Sequence, residues 1–268
     1  MKIDIDITKS VEQNAEAYYA ASKEAKKKIK GAKRMVEKAK QKLEEGAEEP
    51  ETQVKIHLDK RRKRWYEKYR WFQTSNGHLV IGGRDADTNE QVVKRHAENK
   101  DYVFHTDAPG SPFVVLKRGQ EKFEQSDYEE ASVFAATYSQ AWKRGLTTTD
   151  VFQVTPDQVT KETKAGEYVS KGSFMVYGER KNWSPTLKLS IGLWRDGDDI
   201  LLMAGPPEAV HEHCTAYADL EQGSKSKGDI ARQLMNVLRL DRTDDVLLQL
   251  PSGEFNIFNI EKDDLQNI

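Results

Sequence analysis

The amino-acid sequence predicts an α+β fold, in which a long antiparallel helical hairpin precedes a mixed, mainly antiparallel sheet with flanking helices. Apolar and small residues repeat in heptads from Val11 to Leu43, as a coiled coil requires. After residue 73 the pattern changes to short apolar runs between turn residues, interleaved with few helices, which favours α+β over a doubly wound sheet. We therefore expect a helical hairpin over residues 1–72, a globular domain over 73–195, and an α+β extension over 196–268 packed on that domain.

The composition is that of a protein with much solvated surface, since 32% of the residues are charged and the net charge is -2. A net charge so close to zero neither indicates nor excludes nucleic-acid binding, because a binding surface needs only a local excess of Lys and Arg. The single cysteine, Cys214, excludes an intramolecular disulfide and a four-cysteine zinc site. No apolar run approaches the ~20 residues of a membrane span, and Met1–Asp6 lacks the features of a secretory signal. We expect a cytoplasmic protein without a membrane partner.

The first arm of the predicted hairpin is a helix that begins at a capping box, because Ser10 and Gln13 have the required spacing. It ends at the acidic turn of residues 46–50. Its many small seam residues would let a partner helix approach closely. The seam consists of Val11, Ala15, Tyr18, Ser22, Ala25, Ile29, Ala32, Val36, Ala39 and Leu43.

A second helical arm is predicted from Gln53 to Phe72, with its seam at similar spacing, so that the two arms could fold back on each other. The seam of this arm is formed by Val54, Leu58, Arg61, Trp65, Tyr69 and Phe72. The second arm is shorter than the first, so part of the first helix either pairs with a coiled-coil protein partner outside the chain or ends nearer the domain. The aromatic residues at its end would anchor the hairpin on a globular core.

The globular part is predicted to open with a hairpin at Asn76-Gly77, a dipeptide favoured in tight turns, followed by a strand at Leu79–Ile81. Thr88 and Gln91 have capping-box spacing and predict a short helix to about residue 97. Further strands are expected at 101–106, 113–117, 151–154, 173–177, 187–194 and 200–203, and helices at 126–142, 207–214 and 227–238.

Several phrases of this sequence resemble the RNA-binding domain of the NFACT family. They are residues 65–72, 82–90 and 93–96, the stretch Phe104–Val115, and residues 166–168 with 172–176. The entrance to the first helix, at Asn14-Ala15 and Tyr18-Tyr19, is similar to the coiled coil of the same proteins. The resemblance covers most of Ile3 to Leu193, and the tail looks more like the archaeal branch.

The resemblance implies a module that acts in ribosome-associated quality control, where family members bind tRNA and the large ribosomal subunit carrying a stalled nascent chain. Full-length members begin with another NFACT domain and helix-hairpin-helix modules, which this sequence lacks, so nascent-chain tailing is not carried over. Short relatives with an isolated RNA-binding domain also exist, and one group is associated with DNA binding.

Basic residues supply the candidate nucleic-acid contacts. The helix from Lys23 to Lys42 holds ten Lys and Arg residues against two Glu, and such a helix could equally be a solvated coiled-coil surface. Arg84 could fork onto a phosphate with Asp85 orienting it, while the alternative is a structural turn between these two residues. The full set of candidates is Lys60, Arg61, Arg62, Lys63, Arg64, Arg84, Asp85, Lys94, Arg95, His96, His105, Lys117 and Arg118.

A metal or catalytic site has little support in the sequence. His105 and Asp107 lie two residues apart on a predicted strand and are expected to form a hydrogen-bonded structural pair rather than an acid-base pair. His211, His213 and Cys214 do not converge on one tetrahedral ion when placed on a helix. Because no catalytic motif is recognisable, we expect no enzyme activity, no cofactor and no metal.

The leading hypothesis is therefore an RNA-binding module for tRNA or large-subunit ribosomal RNA. The alternatives are a protein-interaction module whose coiled coil docks ribosomal or quality-control proteins, and a short DNA-binding relative. A hydrolase centred on His105 and Asp107 ranks third.

Overall fold

The computed structural model describes residues 6, 10, 11, 13–15, 18, 19, 22, 23, 26, 29, 33, 55–58, 62–108, 110–162 and 170–262. The chain divides into two compact units, Met1–Gln53 and Val54–Ile268. Within the described residues, no helix is long and apolar enough to cross a membrane.

The described residues of the first unit from Val11 to Lys33 are all helical, as predicted, while the rest of the predicted first arm, after Lys33, lies outside the described residues. The capping box is confirmed: the Gln13 amide donates to Ser10 Oγ at 3.2 Å and the Ser10 amide donates to Gln13 Oε1 at 3.1 Å. The two bonds satisfy two of the main-chain N–H groups that a helix start leaves without partners.

The second helical arm is wrong where the structure describes it. Ile56 forms an isolated parallel bridge with Leu240, residues 62–69 are loop and turn, and the first strand begins at Arg70. Trp71 and Phe72 are both fully buried although they are consecutive. Because successive strand residues point to opposite faces, this strand is covered on both faces. A strand buried on both faces has a continuous run of aromatic residues, and some of these have the spacing expected of a helix.

The strands of the second unit confirm the mainly antiparallel α+β prediction. A six-stranded sheet has the order β1-β2-β4-β3-β5-β8, a four-stranded sheet the order β10-β9-β11-β12, and β6 pairs with β7. The strands are β1 (Arg70–Gln73), β2 (Leu79–Gly82), β3 (Tyr102–His105), β4 (Val114–Leu116), β5 (Val151–Val154), β6 (Val159–Thr160), β7 (Met175–Val176), β8 (Lys181–Trp183), β9 (Leu189–Asp196), β10 (Asp199–Gly205), β11 (Cys214–Ser226) and β12 (Glu254–Lys262).

The helices of this unit are α1 (Ala86–Gln91), α2 (Gln125–Thr137), α3 (Gln140–Lys143), α4 (Pro207–His213), α5 (Lys227–Val237) and α6 (Thr243–Gln249). A π-helical turn, Val92–His96, continues α1, and a 3-10 turn covers Pro156–Gln158. The predicted start of α1 at Thr88 is wrong: Asp85 is the N-cap, and Thr88 is the third helical residue of the box.

The core joins the two larger sheets through β1. The Phe72 ring contacts that of Phe134 on α2 at a centroid distance of 4.8 Å, and a Cβ built on Gly205 of β10 would lie 2.8 Å from Phe72. Trp71 meets Trp194 of β9 at 5.9 Å. Since β9 and β10 form one antiparallel hairpin, the expected boundary after residue 195 falls within β9.

Candidate nucleic-acid interface

A cleft of about 460 Å³ lies where three separate chain segments meet in the second unit. The segments are the loop after β2 with the start of α1, the turn between β3 and β4, and the stretch that leads into β7. They contribute Gly83, Arg84, Asp85, Ala86 and Asn89; His105 to Ala108 with Gly110 to Phe113; and Lys171 to Val176. Each of them contains one of the phrases from which the sequence resemblance was drawn.

Two glycines allow these segments to approach closely. A Cβ on Gly83 would lie 1.9 Å from Asn89 Oδ1, the atom that accepts the Phe113 amide at 3.1 Å and so ties α1 to the β3–β4 turn. Gly172 has a φ of 79°, and a Cβ there would lie 2.5 Å from the Cα of Ala86. Only glycine fits both the positive φ and this main-chain contact.

Arg70 and Arg84 line the inner part of the cleft without a carboxylate partner among the described residues. Arg70 donates to the Gly83 carbonyl at 2.6 Å, and its guanidinium lies 4.9 Å from the centre of the Tyr138 ring. Arg84 donates to the carbonyls of Glu67 and Tyr69 at 3.2 and 2.9 Å. Both Nε atoms are buried without a hydrogen-bond partner, and burial lowers the pKa of both side chains.

Arg84 is thus partly structural, and the predicted Arg84–Asp85 pair does not form. The Asp85 carboxylate accepts the Thr88 amide and hydroxyl, both at 2.8 Å, and caps α1. The Thr88 bonds lower the pKa of Asp85 although burial opposes them. Asp85 is therefore an ionised cap on the cleft wall.

Aromatic rings line the opposite wall of the cleft. His105 stacks on Phe113 at a centroid distance of 3.9 Å, and Phe174 meets Phe113 edge-on at 5.2 Å. His105 Nδ1 lies 2.8 Å from the Pro112 carbonyl, which can only accept, so Nδ1 carries the proton. Burial lowers the pKa of His105 despite this bond, so the ring is neutral at pH 7.

The rim of the cleft carries Lys171 and Arg180, both exposed. Lys171 pairs with Asp87, and Arg180 pairs with Asp107 at 3.2 Å and lies 4.4 Å from the centre of the Phe152 ring. The predicted structural pair of His105 and Asp107 is therefore replaced by two other contacts. The lining includes the cations Arg70, Arg84, Lys171 and Arg180 against the carboxylates Asp85 and Asp107, an excess of positive charge.

Residues 68–178, which contain all three segments of this cleft, match the NFACT protein RNA binding domain. The chain belongs to the NFACT family. The archaeal Rqc2 homolog aRqcH of Methanocaldococcus jannaschii is 34% identical over 209 residues, which cover 77% of this chain and 31% of that protein.

Two animal proteins of the same kind are also similar. The ribosome quality control complex subunit NEMF homolog of Drosophila melanogaster is 35% identical over 196 residues, 71% of this chain and 20% of that protein. Human ribosome quality control complex subunit NEMF is 34% identical over 184 residues, 67% of this chain and 17% of that protein. The NFACT chain described here thus spans 31% or less of these relatives' lengths.

Two predicted contacts of the NFACT chain lie away from the cleft and have structural roles. Lys117 Nζ contacts Asp101 at 2.6 Å and the His96 carbonyl at 2.7 Å, with its side chain only 15% exposed. The His96 ring accepts or donates a bond with the Tyr69 hydroxyl at 2.9 Å and stacks on Trp65 at 4.5 Å. Burial lowers the pKa of His96, and nearby lysines add to the effect.

The other predicted cations lie on the surface or outside the described residues. Arg95 and Lys94 are exposed on the π-helical turn, and Lys94 lies 3.3 Å from Glu90. Arg64 pairs with Asp196 and lies 5.8 Å from the centre of the Trp194 ring, so it anchors the loop before β1. Arg62 and Lys63 are exposed, while Lys60 and Arg61 lie outside the described residues.

The sequence interpretation missed Arg70, Lys171 and Arg180. Arg70 and Lys171 stand within or beside the recognisable phrases, but nothing local marks them as lining a common cleft. Arg180 follows the last phrase and carries no pattern of its own.

His211, His213 and Cys214 each have a surrounding other than a shared metal site. His211 lies 2.8 Å from Asp219 and His213 lies 2.6 Å from the Thr74 carbonyl, while Cys214 is buried. No group of three His, Cys, Asp or Glu side chains in the described part of the chain could hold a metal ion.

Proposed function

We propose that this chain is an RNA-binding module of a ribosome-associated quality-control factor, and that the cleft holds the RNA backbone. It would act by binding, without catalytic turnover, on tRNA or on ribosomal RNA of the large subunit. The observation that carries the proposal is the meeting of all three family phrases around Arg70 and Arg84, which have no carboxylate partner among the described residues.

Unpaired buried guanidinium groups are costly, because a charge removed from water needs a compensating partner. A phosphate placed in the cleft would supply this partner and accept forked hydrogen bonds from arginine. Lys171 and Arg180 at the rim would extend the contact to neighbouring phosphates. Quality-control complexes appear in the names of the similar proteins from Drosophila and human, which agrees with such a role.

The test is fluorescence anisotropy of a labelled tRNA over a range of salt concentrations. A Lys171→Ala and Arg180→Ala double variant removes two exposed rim charges without breaking the bonds that Arg84 makes to the main chain. We expect weaker binding at low salt and a slope of log K against log salt that is smaller by about 0.9 for each lost phosphate contact.

The control is Arg232→Ala, which removes an exposed cation of α5 that forms a surface ion pair with Asp229 and does not line the cleft. Equal affinity and equal salt slope in the double variant and this control would overturn the cleft as the RNA contact. A DNA duplex that competes as well as tRNA would instead support a DNA-binding relative.

A protein-binding role for the first helix is the second candidate. Val11, Tyr19 and Ile29 are 82%, 81% and 55% exposed, so apolar side chains of the basic first helix are uncovered. An acidic amphipathic helix of a partner protein would complement both its charge and these residues. Binding to purified ribosomes that survives nuclease and is lost in Val11→Glu with Ile29→Glu would favour this role.

A further inference from the structure

Four aromatic side chains form a half-buried surface, separate from the cleft wall, which we call the ring platform. Its members are Tyr102 of β3, Phe123, Tyr128 of α2 and Trp183 of β8. Tyr128 is the centre of the group, because its ring lies 5.3 Å from Tyr102, 5.6 Å from Phe123 and 6.4 Å from Trp183. Tyr128 meets Tyr102 and Phe123 edge to face, while Tyr128 and Trp183 are nearly parallel.

Two cations lie over these rings rather than beside carboxylates. The Arg118 guanidinium is 5.0 Å from the centre of the Phe123 ring, and Lys181 Nζ is 4.3 Å from that of Trp183 and 5.4 Å from that of Tyr128. Neither cation has an ion pair among the described residues. Both therefore remain able to bind phosphate while covering an aromatic face.

Two hollows of about 470 and 630 Å³ lie on either side of the Tyr102–Tyr128 pair. The first also contains Arg118 and Phe123, and the second also contains Lys181 and the carboxylate of Glu179. Arg180 lines both the second hollow and the cleft, so the ring platform continues from the proposed RNA contact.

We propose that the ring platform is a second subsite, which takes unstacked bases of a single-stranded RNA segment that leaves the cleft past Arg180. Aromatic rings with interleaved cations are the arrangement that holds single strands, since every base has a face that stacks and every phosphate a charge. The cations alone would attract duplex RNA as well as single-stranded RNA, but the rings can stack only on bases that are not paired in a duplex. This inference rests on the proposed RNA-binding function and adds the class of RNA.

The experiment uses the full chain and three probes: an oligouridine of about twelve nucleotides, an abasic ribose-phosphate strand of the same length, and a blunt RNA hairpin. The variants are Tyr128→Leu and Trp183→Leu, which keep an apolar side chain but lose the ring, and Lys181→Ala, which changes an exposed side chain. Phe258→Leu is the matched control, because Phe258 is 62% exposed on β12 and outside the platform.

We expect each ring variant to weaken oligouridine binding by about tenfold, to leave hairpin binding unchanged, and to bind the abasic strand like the unaltered chain. Lys181→Ala should weaken both single strands, because it removes a charge. Circular dichroism melting of each variant checks that the fold is retained, and Lys181→Ala still tests the site if a ring variant unfolds.

Equal oligouridine affinity in the ring variants and in Phe258→Leu would overturn the subsite, as would equal affinity of the unaltered chain for oligouridine and the abasic strand. Oligouridine binding that depends on Lys171 and Arg180 but not on the rings would leave the proposed function intact and remove only the subsite. Failure of the unaltered chain to bind any of the three probes would overturn both.

Discussion

Replacing Asp101 by Ala should destabilise the second unit strongly, although the residue lies in a loop between α1 and β3. The Asp101 side chain accepts Lys117 Nζ at 2.6 Å and the main-chain amides of Glu98 and Arg118 at 2.8 and 2.7 Å, and the residue is 2% exposed. Removing one partner of a buried ion pair costs about 3–5 kcal/mol. The two main-chain amides would also lose their acceptor, at a cost of about 1–3 kcal/mol each if water does not reach them. Part of this cost is already included in the value for the ion pair.

Urea unfolding of the full chain, followed by tryptophan fluorescence, measures the loss as a lower midpoint at unchanged slope. Glu208→Ala is the control, since it breaks the exposed pair with Lys188 and should cost less than about 1 kcal/mol. A loss of that small size in Asp101→Ala would refute the assignment of Lys117 as a structural cation. So would a Lys117→Met variant that folds as well as the unaltered chain and binds RNA more weakly.

Two further substitutions and one pH dependence follow from the same geometry. Gly83→Ala should destabilise the fold, because its Cβ would lie 1.9 Å from Asn89 Oδ1. A Cβ on Gly228 of α5 would make only ordinary van der Waals contacts, the nearest at 3.8 Å from Arg232, so Gly228→Ala should raise the free energy of unfolding by about 0.5–1 kcal/mol in the same urea experiment. Burial raises the pKa of Asp219, but hydrogen bonds from Ser190 and two other side chains outweigh it and lower the pKa overall. This lowered pKa stabilises the fold above the unfolded value of about 3.9, and the stability is lost as the pH falls through the folded value. Asp219→Asn should therefore show a weaker loss of stability below about pH 4 than the unaltered chain, and parallel urea midpoints for the two proteins across that range would contradict the assignment.

The elements that local sequence signals specify were predicted well. Asn76-Gly77 forms the β1–β2 turn with Gly77 at a φ of 82°, and the strand Val151–Val154 agrees residue for residue. The helix expected at 227–238 is found as α5, Lys227–Val237. In each case the chemistry of neighbouring residues alone decides the local conformation.

The errors arise where tertiary packing outweighs local pattern. Trp65, Tyr69 and Phe72 have helical spacing, but Phe72 belongs to a strand that the core covers on both faces. Strand β11 was missed because its buried positions include Ala216 and Ala218, and alanine is a weak strand former.

The candidate site was predicted only as a set of basic residues, without the partner that each of them contacts in the structure. A sequence does not tell which carboxylate a cation meets, and this decides its role. Lys117 looked available and is held by Asp101, whereas Arg70 looked like part of a helical anchor and lines the cleft. The family phrases were the better guide, because they come from distant parts of the chain and meet at one place.

Arg70 forms no ion pair among the described residues, although Asp85 attracts it from the same cleft, and this leads to a last prediction, in which stability and binding change independently. Arg70 lies beside Tyr138, and burial together with the nearby cation Arg84 lowers its pKa. Burial also lowers the pKa of the neighbouring Lys227, and the two arginines add to this effect, so the three cations repel one another. Arg70→Met keeps the volume and the packing on Tyr138 but removes the charge. It should change the free energy of unfolding by less than about 1 kcal/mol, since removal of the costly buried charge offsets the loss of the hydrogen bond to the Gly83 carbonyl.

Bound RNA should reveal the function of the charge. At a concentration of about 100 times its Kd, a ligand that binds only the folded state adds ~2.7 kcal/mol to stability, which appears as a higher melting temperature. The unaltered chain should show this increment with tRNA at low salt, and Arg70→Met should show a clearly smaller one at the same tRNA concentration. If Arg70→Met instead lost more than about 3 kcal/mol without tRNA and kept the full increment with it, Arg70 would be a structural residue and the cleft would need another source of phosphate affinity. An arginine retained for binding should contribute to stability mainly when the anion is present, and this pair of melting curves separates the two roles.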